Sequence, residues 1–169
     1  MAEHVYHIYP RTKTKALTNI EEKIALLPED HQLYTEQNVG AVLQAIYEAM
    51  QNYDSFIVPV TLPAEAMAEL EQEGYADGVV VTDVKNYYNV SFKVVPTKDG
   101  KSNFVAFTDQ EQLAKGEPVS TVTMKITSLL YTAMNNNDFH GIMINPWGKT
   151  FFLAKPYIEY IFENLNSNK

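Results

Sequence analysis

Four histidines are the side chains best suited to acid–base or metal chemistry near neutral pH, and the sequence disperses them. His4 and His7 stand three residues apart, a spacing that would bring two metal ligands to one face of a helix. The Val and Tyr residues around them and the following Pro10 disfavour a helix there. His31 lies in a polar linker. We therefore expect no metal site.

His140 stands two residues after Asp138 at the start of a strongly apolar stretch. If this stretch is a strand, the two side chains share one face, and the pattern admits a carboxylate–imidazole pair. The pattern favours the other interpretation, a histidine at a strand entry that bonds to backbone or water. Under the first interpretation, His140 and Asp138 are binding residues that line a ligand pocket; under the second they carry no function.

The sequence lacks the motifs of nucleophilic catalysis and phosphate binding. It has no Gly-x-Ser-x-Gly elbow and no Ser-x-x-Lys pair, and its seven glycines match neither G-x-G-x-x-G nor G-x-x-x-x-G-K. It has no cysteine, which excludes a disulfide framework, a thiolate zinc site, an iron–sulfur cluster and a cysteine nucleophile. We therefore assign no catalytic residue and no cofactor, and we favour a non-enzymatic function over an enzymatic one.

Aromatic side chains are the better candidates for binding. The only tryptophan, Trp147, follows Asn145 and Pro146 in a predicted four-residue turn that ends at a glycine. At a turn tip, the indole ring either anchors a partner or folds back on the sheet. Tyr87 and Tyr88, flanked by Lys and Asn residues, predict an exposed aromatic patch. Trp147, Tyr87, Tyr88 and Asn145 are therefore candidate binding residues.

Composition restricts the partners. The 169 residues include 13 basic and 21 acidic side chains, a formal charge of −8, which disfavours broad nucleic-acid binding because such binding depends on basic surface. No apolar run approaches the ~18–20 residues that span a bilayer, and we expect neither a signal peptide nor a membrane partner. A chain of this length fits one globular domain, and we expect a cytoplasmic location.

Apolar spacing predicts the elements that must position these residues. Apolar side chains that recur at i, i+3, i+4 and i+7 predict helices over 37–52 and 122–134. Short apolar runs predict strands over 55–61, 139–144 and 150–154.

Turn and capping signals complete the organisation. Asp99-Gly100 predicts a hairpin between strands 88–96 and 103–107, and the turn at 145–148 predicts a second. Capping boxes at Thr18–Glu21 and Thr108–Glu111 predict two short helices. We therefore expect one α+β unit, with a mixed β-sheet, two hairpins and amphipathic helices, over 37–169. Residues 1–36 would form an accessory N-terminal arm with a short helix.

Two stretches resemble the N-terminal domain of the SseB family. The first, Phe104–Leu113, is a strand that runs into Phe-Thr and a short helix; the second, Gly141–Pro146, precedes a turn and a returning strand. Their order is similar to the family's strand, "FT" helix, longer helix and "Gly-hydrophobic-Asn-Pro" hairpin, and the resemblance covers about residues 37–155. It implies an α+β fold and a bacterial cytosolic protein, but it implies no reaction and no catalytic residues.

These observations favour a non-enzymatic interaction or regulatory module that binds a protein or peptide partner through an aromatic surface. The alternative is a domain that binds a small amino-acid-like or nucleotide-like molecule, and a hydrolase is the third choice. Strand edges and the 11 tyrosines leave a homodimer open.

Overall fold

A computed structural model describes residues 7–8, 14–72, 74, 80–81 and 91–165. Its helices are α1 (Lys15–Ala25), α2 (Glu36–Gln51), α3 (Ala64–Gln72), α4 (Gln110–Leu113), α5 (Ile126–Met134) and α6 (Lys155–Tyr160). A 3-10 turn, His31–Leu33, precedes α2, and a π-helical turn, Ile161–Leu165, continues α6. Within these residues, no helix combines the length and the apolar character needed to cross a membrane.

The strands form two sheets. They are β1 (His7–Ile8), β2 (Ser55–Thr61), β3 (Val80–Val81), β4 (Ser91–Phe92), β5 (Val94–Pro96), β6 (Ser102–Ala106), β7 (Thr121–Lys125), β8 (Phe139–Ile144) and β9 (Phe151–Ala154). The first sheet has the order β3-β1-β7-β2-β4 and the second has the order β5-β6-β8-β9. Both contain parallel and antiparallel pairs, which confirms the predicted α+β class and places the two hairpins in the second sheet.

Strand β2 joins the two sheets and lies between two apolar cores. Its Ile57 exchanges two backbone hydrogen bonds with Phe107, just past β6, at 2.9 and 2.8 Å. Alternate residues of a strand face opposite sides. Phe56 therefore enters the main core, whereas Ile57 enters a smaller core with Val105, Phe107, Leu113 and Val119.

Helices α1, α2 and α5 supply most of the helical side of the main core. Leu17, Ile20 and Ile24 of α1 are buried there, beside Val42 and Ile46 of α2. The apolar spacing predicted α2 to within one residue. The division of the chain into an arm over 1–36 and a domain over 37–169 stays a prediction.

Gly141 shows why β8 and β9 require a residue without a side chain at this point. A Cβ atom there would lie 2.3 Å from the carbonyl oxygen of Leu153, on the neighbouring strand. Such a contact would force the strands apart, so the close approach of the hairpin depends on the glycine.

Two predicted capping boxes are wrong. Helix α1 begins one turn before Thr18, because Thr14 caps it by accepting a hydrogen bond from the Leu17 N–H (3.2 Å). Helix α4 is capped by Asp109, which accepts from the Gln112 N–H at 2.8 Å, and not by Thr108. The second box fails because the Thr108 hydroxyl has tertiary partners.

Two further predictions placed element boundaries incorrectly. The helix predicted over 122–134 begins only at Ile126, because residues 121–125 pair with β2 as strand β7. The strand predicted over 88–96, of which 88–90 lie outside the described residues, divides at Lys93. Strand β4 pairs with β2 in one sheet, and β5 pairs with β6 in the other. Side-chain alternation does not reveal such a change of partner.

Candidate functional site

Thr108 and Asn145 meet just past the carboxyl ends of the parallel strands β6 and β8. Both side chains are buried, with 2% of each residue exposed. The Thr108 N–H donates to Asn145 Oδ1 at 3.0 Å, and Asn145 Nδ2 donates to Thr108 Oγ1 at 3.0 Å. Ligands often bind at the carboxyl ends of parallel strands in α/β folds. Here the polar atoms at this position already hydrogen-bond to each other.

The backbone of Asn145 is equally engaged. It adopts the left-handed region with φ 56°, which asparagine tolerates better than most residues. Its N–H donates to the Ala106 carbonyl (2.8 Å), and its own carbonyl accepts from the Gly148 N–H (3.1 Å) and from the Thr150 hydroxyl (3.2 Å). The Gly148 bond forms the predicted turn. Asn145 therefore holds the hairpin turn against the end of β6.

Helix α1 is tied to the same end of the second sheet. The Thr108 hydroxyl donates to the Glu21 carboxylate, which joins α1 to the Thr108–Asn145 pair. Lys149, in the β8–β9 turn, donates from Nζ to the carbonyls of Ala25 (3.1 Å) and Leu27, where α1 ends. The bond to Ala25 satisfies one of the carbonyl groups that a helix leaves without partners at its C-terminus, and the bond to Leu27 holds the chain just past α1.

Trp147 folds back on the smaller core and still exposes 39% of its surface. Its ring centroid lies 5.0 Å from that of Phe107, and a Cβ atom on Gly116 would come within 1.9 Å of the indole. The ring therefore covers the smaller core and presents one side to solvent. Its role as a partner anchor stays a prediction.

The structure pairs His140 with a different carboxylate from the one that the sequence pattern indicated. His140 Nε2 lies 2.7 Å from Asp99 Oδ2, in the turn of the β5–β6 hairpin. Asp138 is exposed, and its backbone N–H donates to Asn136 Oδ1 at 3.0 Å. The pKa of Asp99 is lowered to about 2, first by the Thr97 hydroxyl and then by the Lys101 N–H, with His140 adding to both. The pair lies on the surface.

Some candidates cannot be placed. Tyr87, Tyr88 and His4 lie outside the described residues, so the predicted tyrosine patch stays a prediction. In the part of the chain that the structure describes, no three His, Asp or Glu side chains come together as metal ligands.

A groove of about 560 Å³ lies between the N-terminal half of α2 and helix α6. Three tyrosines border it, and aliphatic side chains, a proline and a glycine supply most of the remaining lining. The full lining is Tyr34, Thr35, Glu36, Val39, Gly40, Leu43, Pro156, Tyr157 and Tyr160.

Helical periodicity brings these side chains to one place. Glu36, Val39, Gly40 and Leu43 stand at i, i+3, i+4 and i+7 and share one face of α2. Tyr157 and Tyr160 stand at i and i+3 of α6 and also share a face. Val39 and Leu43 are buried, and Tyr160 is 44% exposed, so the groove has an apolar floor and an aromatic rim.

The hydrogen-bonding groups of this groove suit recognition. The Tyr34 phenol is a hydrogen-bond donor, and its pKa is raised, first by burial and then by the Glu29 carboxylate and Tyr157. The Thr35 hydroxyl accepts from the Asn38 N–H (3.1 Å) as the cap of α2. Among the described residues, the lining contains one carboxylate, Glu36, and no Lys, Arg or His.

Comparison with known families adds one finding. The model of the SseB protein N-terminal domain matches residues 36–159 of the 169. The chain belongs to the SseB family. No curated protein and no solved structure matches it. The resemblance drawn from Phe104–Leu113 and Gly141–Pro146 is therefore confirmed, and the "FT" and "Asn-Pro" motifs of the SseB domain are the residues that hydrogen-bond to each other.

The groove extends slightly beyond the matched SseB domain. Tyr157 and most of the lining fall within 36–159, whereas Tyr34, Thr35 and Tyr160 lie immediately outside. Two of the three tyrosines therefore come from segments that flank the family match.

Sequence patterns did not indicate this groove. The helix predicted over 37–52 contains Val39 and Leu43, but Tyr34 and Tyr160 belong to no site predicted from the sequence. The available signal was a tyrosine directly before the cap of α2 and two more at helical spacing in α6. This signal could be interpreted only with the tertiary structure, because only the packing of the chain shows that α2 and α6 are neighbours.

Proposed function

We propose that this SseB domain is a non-enzymatic interaction module of the bacterial cytoplasm, and that its groove between α2 and α6 binds an extended segment of a partner protein. The observation that carries the proposal is the rim of three tyrosines, Tyr34, Tyr157 and Tyr160, around an open groove with an apolar floor. The absence of cysteine fits a reducing compartment, and membership of the SseB family supports a bacterial source.

Tyrosine is well suited to such a surface. Its ring offers a large apolar contact, its hydroxyl offers hydrogen bonds, and only two side-chain torsions must be restricted on binding. A segment lying in the groove would bury ring surface of Tyr157 and Tyr160 and would accept hydrogen bonds from their hydroxyls. Tyrosines are enriched among the residues that dominate binding energy at interfaces.

The groove offers weaker support for catalysis. Nucleophilic chemistry needs a hydroxyl within hydrogen-bond reach of a base. The Thr35 hydroxyl serves as a helix cap, and Glu36 is exposed at the first turn of α2. The arrangement supplies apolar contact and hydrogen-bond donors, which favour binding.

A second candidate function uses the same groove. A volume of about 560 Å³ lies within the ~300–1,000 Å³ that small-molecule sites occupy. An amino-acid-like or nucleotide-like ligand would then take the place of the peptide segment. His140 and Asp138 are not among the lining residues of this groove, so they would not take part there.

The test compares a peptide library with a panel of metabolites. For peptides, we expect saturable binding by fluorescence polarisation that weakens about tenfold or more in Tyr160→Ala, a loss typical of an interface hot spot. The matched control is Tyr131→Ala, because Tyr131 is a 60% exposed tyrosine of α5 outside the groove, and it should bind as the unchanged protein does. For metabolites, we expect no rise in melting temperature.

Two results would count against the module. If no peptide binds, or if Tyr131→Ala weakens binding as much as Tyr160→Ala, the groove is not the peptide site. A melting-temperature rise with a metabolite that Tyr160→Ala abolishes would favour the small-molecule function instead.

A further inference from the structure

We infer that the partner segment is proline-rich and carries Lys or Arg, and that Gly40 determines specificity by letting this segment lie against α2. This inference rests on the proposed function and names the class of peptide that the groove accepts.

The first observation concerns Gly40, which lies one turn inside the 16-residue helix α2. Glycine inside a helix is less stable than alanine, because it loses more backbone entropy on folding. Within the described protein, a Cβ atom on Gly40 would meet nothing within 4 Å. Among the residues that the structure describes, no contact of α2 requires a glycine at position 40, and the space that Gly40 leaves open belongs to the groove that it lines.

The second observation is the shape of that space. Without a Cβ at Gly40, the floor between Val39 and Leu43 is backbone, so a partner can approach α2 closely. Proline-rich segments suit a groove bordered by aromatic rings, because they are preformed as polyproline II helices and dock into such grooves with little loss of entropy.

The rim also supplies the hydrogen bonds that such a segment needs. A polyproline II helix makes no internal hydrogen bonds, so its carbonyl groups are available as acceptors. The hydroxyls of Tyr34, Tyr157 and Tyr160 are donors at the rim, and proline has no N–H group that would require a matching acceptor. Because tyrosine hydroxyls also accept and Glu36 supplies a further acceptor, these hydrogen bonds are compatible with proline, and the preference for proline rests on the aromatic rim.

The carboxylates near the groove favour basic residues beside the prolines of the partner segment. The lining carries the Glu36 carboxylate and, among the described residues, no cation. The Glu29 carboxylate, which lies 3.8 Å from Lys149 Nζ, is close enough to Tyr34 to raise its pKa, and Glu36 has no such cation in the described lining. The whole chain has a formal charge of −8. A Lys or Arg beside the prolines would be attracted to this region and would also pack on the faces of the tyrosine rings.

The first experiment uses three synthetic fluorescent peptides: a proline-rich peptide with arginines at one end, the same peptide with glutamates in place of the arginines, and the same peptide with alanines in place of the prolines. Fluorescence polarisation should show binding of the first peptide. Each replacement should weaken binding about tenfold or more, and added salt should weaken binding of the arginine peptide.

The second experiment separates stability from binding at Gly40. Gly40→Ala should raise the melting temperature by about 2–4 °C, because alanine favours the helix. It should also lower the affinity for the arginine–proline peptide about tenfold, because the methyl group of alanine enters the groove. The control is Gln44→Ala, at an exposed position one turn further along α2 and outside the lining, which should leave peptide affinity unchanged.

The outcomes distinguish this inference from the proposed function. If library peptides bind in a way that Tyr160→Ala weakens, but the bound class is acidic or lacks proline, this inference is wrong and the module stands. If Gly40→Ala keeps full affinity for the arginine–proline peptide, the role of Gly40 is overturned. If no peptide of any class binds, both proposals fail.

Discussion

Replacing Asn145 by alanine should destabilise the fold strongly. The substitution removes the acceptor of the buried Thr108 N–H and the donor to the Thr108 hydroxyl, both at 3.0 Å. It also places alanine at φ 56°, where a side chain with no local hydrogen bond is strained. Because Asn145 is 2% exposed, water cannot easily replace the lost partners.

The magnitude follows from two costs. A buried N–H left without a partner costs about 1–3 kcal/mol. The left-handed backbone costs an ordinary residue about 1–2 kcal/mol. Together they predict a loss of about 3 kcal/mol for Asn145→Ala, or about 6–12 °C in melting temperature for a chain of this size. Asn145→Gly loses the same hydrogen bonds without the strain, and should be about 1 kcal/mol more stable than the alanine variant.

Urea unfolding followed by far-UV circular dichroism would measure these differences without relying on the neighbouring Trp147. Asn137→Ala is the matched control, because Asn137 is an exposed asparagine close in the chain and its loss should change stability by less than about 0.5 kcal/mol. The reasoning is refuted if Asn145→Ala is as stable as the control. If the glycine variant is less stable than the alanine variant, the backbone part of the argument is wrong.

Three other changes test separate contacts. Gly116→Ala would place a Cβ 1.9 Å from the Trp147 ring, so it should lower stability by about 1–3 kcal/mol and shift tryptophan fluorescence to longer wavelength as the ring moves into water. Asp99 has its folded pKa lowered to about 2, so its contribution to stability is present above about pH 4 and is lost as the pH falls through 2. Asp99→Asn should therefore flatten the decline in urea-measured stability over that interval, and an unchanged decline would contradict the assignment. Lys149→Met removes two hydrogen bonds to the end of α1 and should cost about 1 kcal/mol, with faster amide exchange confined to that helix.

Elements with strong local patterns were predictable. Strands β2 and β8 begin and end at the predicted residues, and α2 is displaced by only one residue. In each case the apolar spacing of the segment agrees with the burial that the fold imposes, so local and tertiary preferences point to the same structure.

The sequence-based predictions were wrong where contacts with distant segments decided between two possible local structures. Val122 has a helical spacing to Ile126, but its neighbours are β-branched and pair with β2, so residues 121–125 became a strand. Thr108 fits a capping pattern, but its hydroxyl contacts Glu21, 87 positions earlier, and Asn145, 37 positions later. Sequence patterns describe near neighbours, and such partners are not among them.

In the candidate site, too, the contacts that the sequence did not predict join residues that are far apart in the chain. The only carboxylate partner that the sequence pattern admitted for His140 was the nearby Asp138, whereas its partner Asp99 lies 41 positions earlier and meets it through the pairing of β6 with β8. The groove is a still stronger case, because Tyr34 and Tyr160 come from segments far apart in the chain. No local pattern relates them.

By itself, the sequence determined the α+β class, the SseB family through the Phe-Thr and Asn-Pro motifs, and most of the regular elements, because these depend on the order and spacing of side chains within short segments. The tertiary structure decided that the two motifs hydrogen-bond to each other, that Trp147 covers the smaller core, and that three tyrosines border one groove with Gly40 in its floor. Those features depend on which distant segments pack together, and packing is set by the sum of many weak contacts over the whole chain.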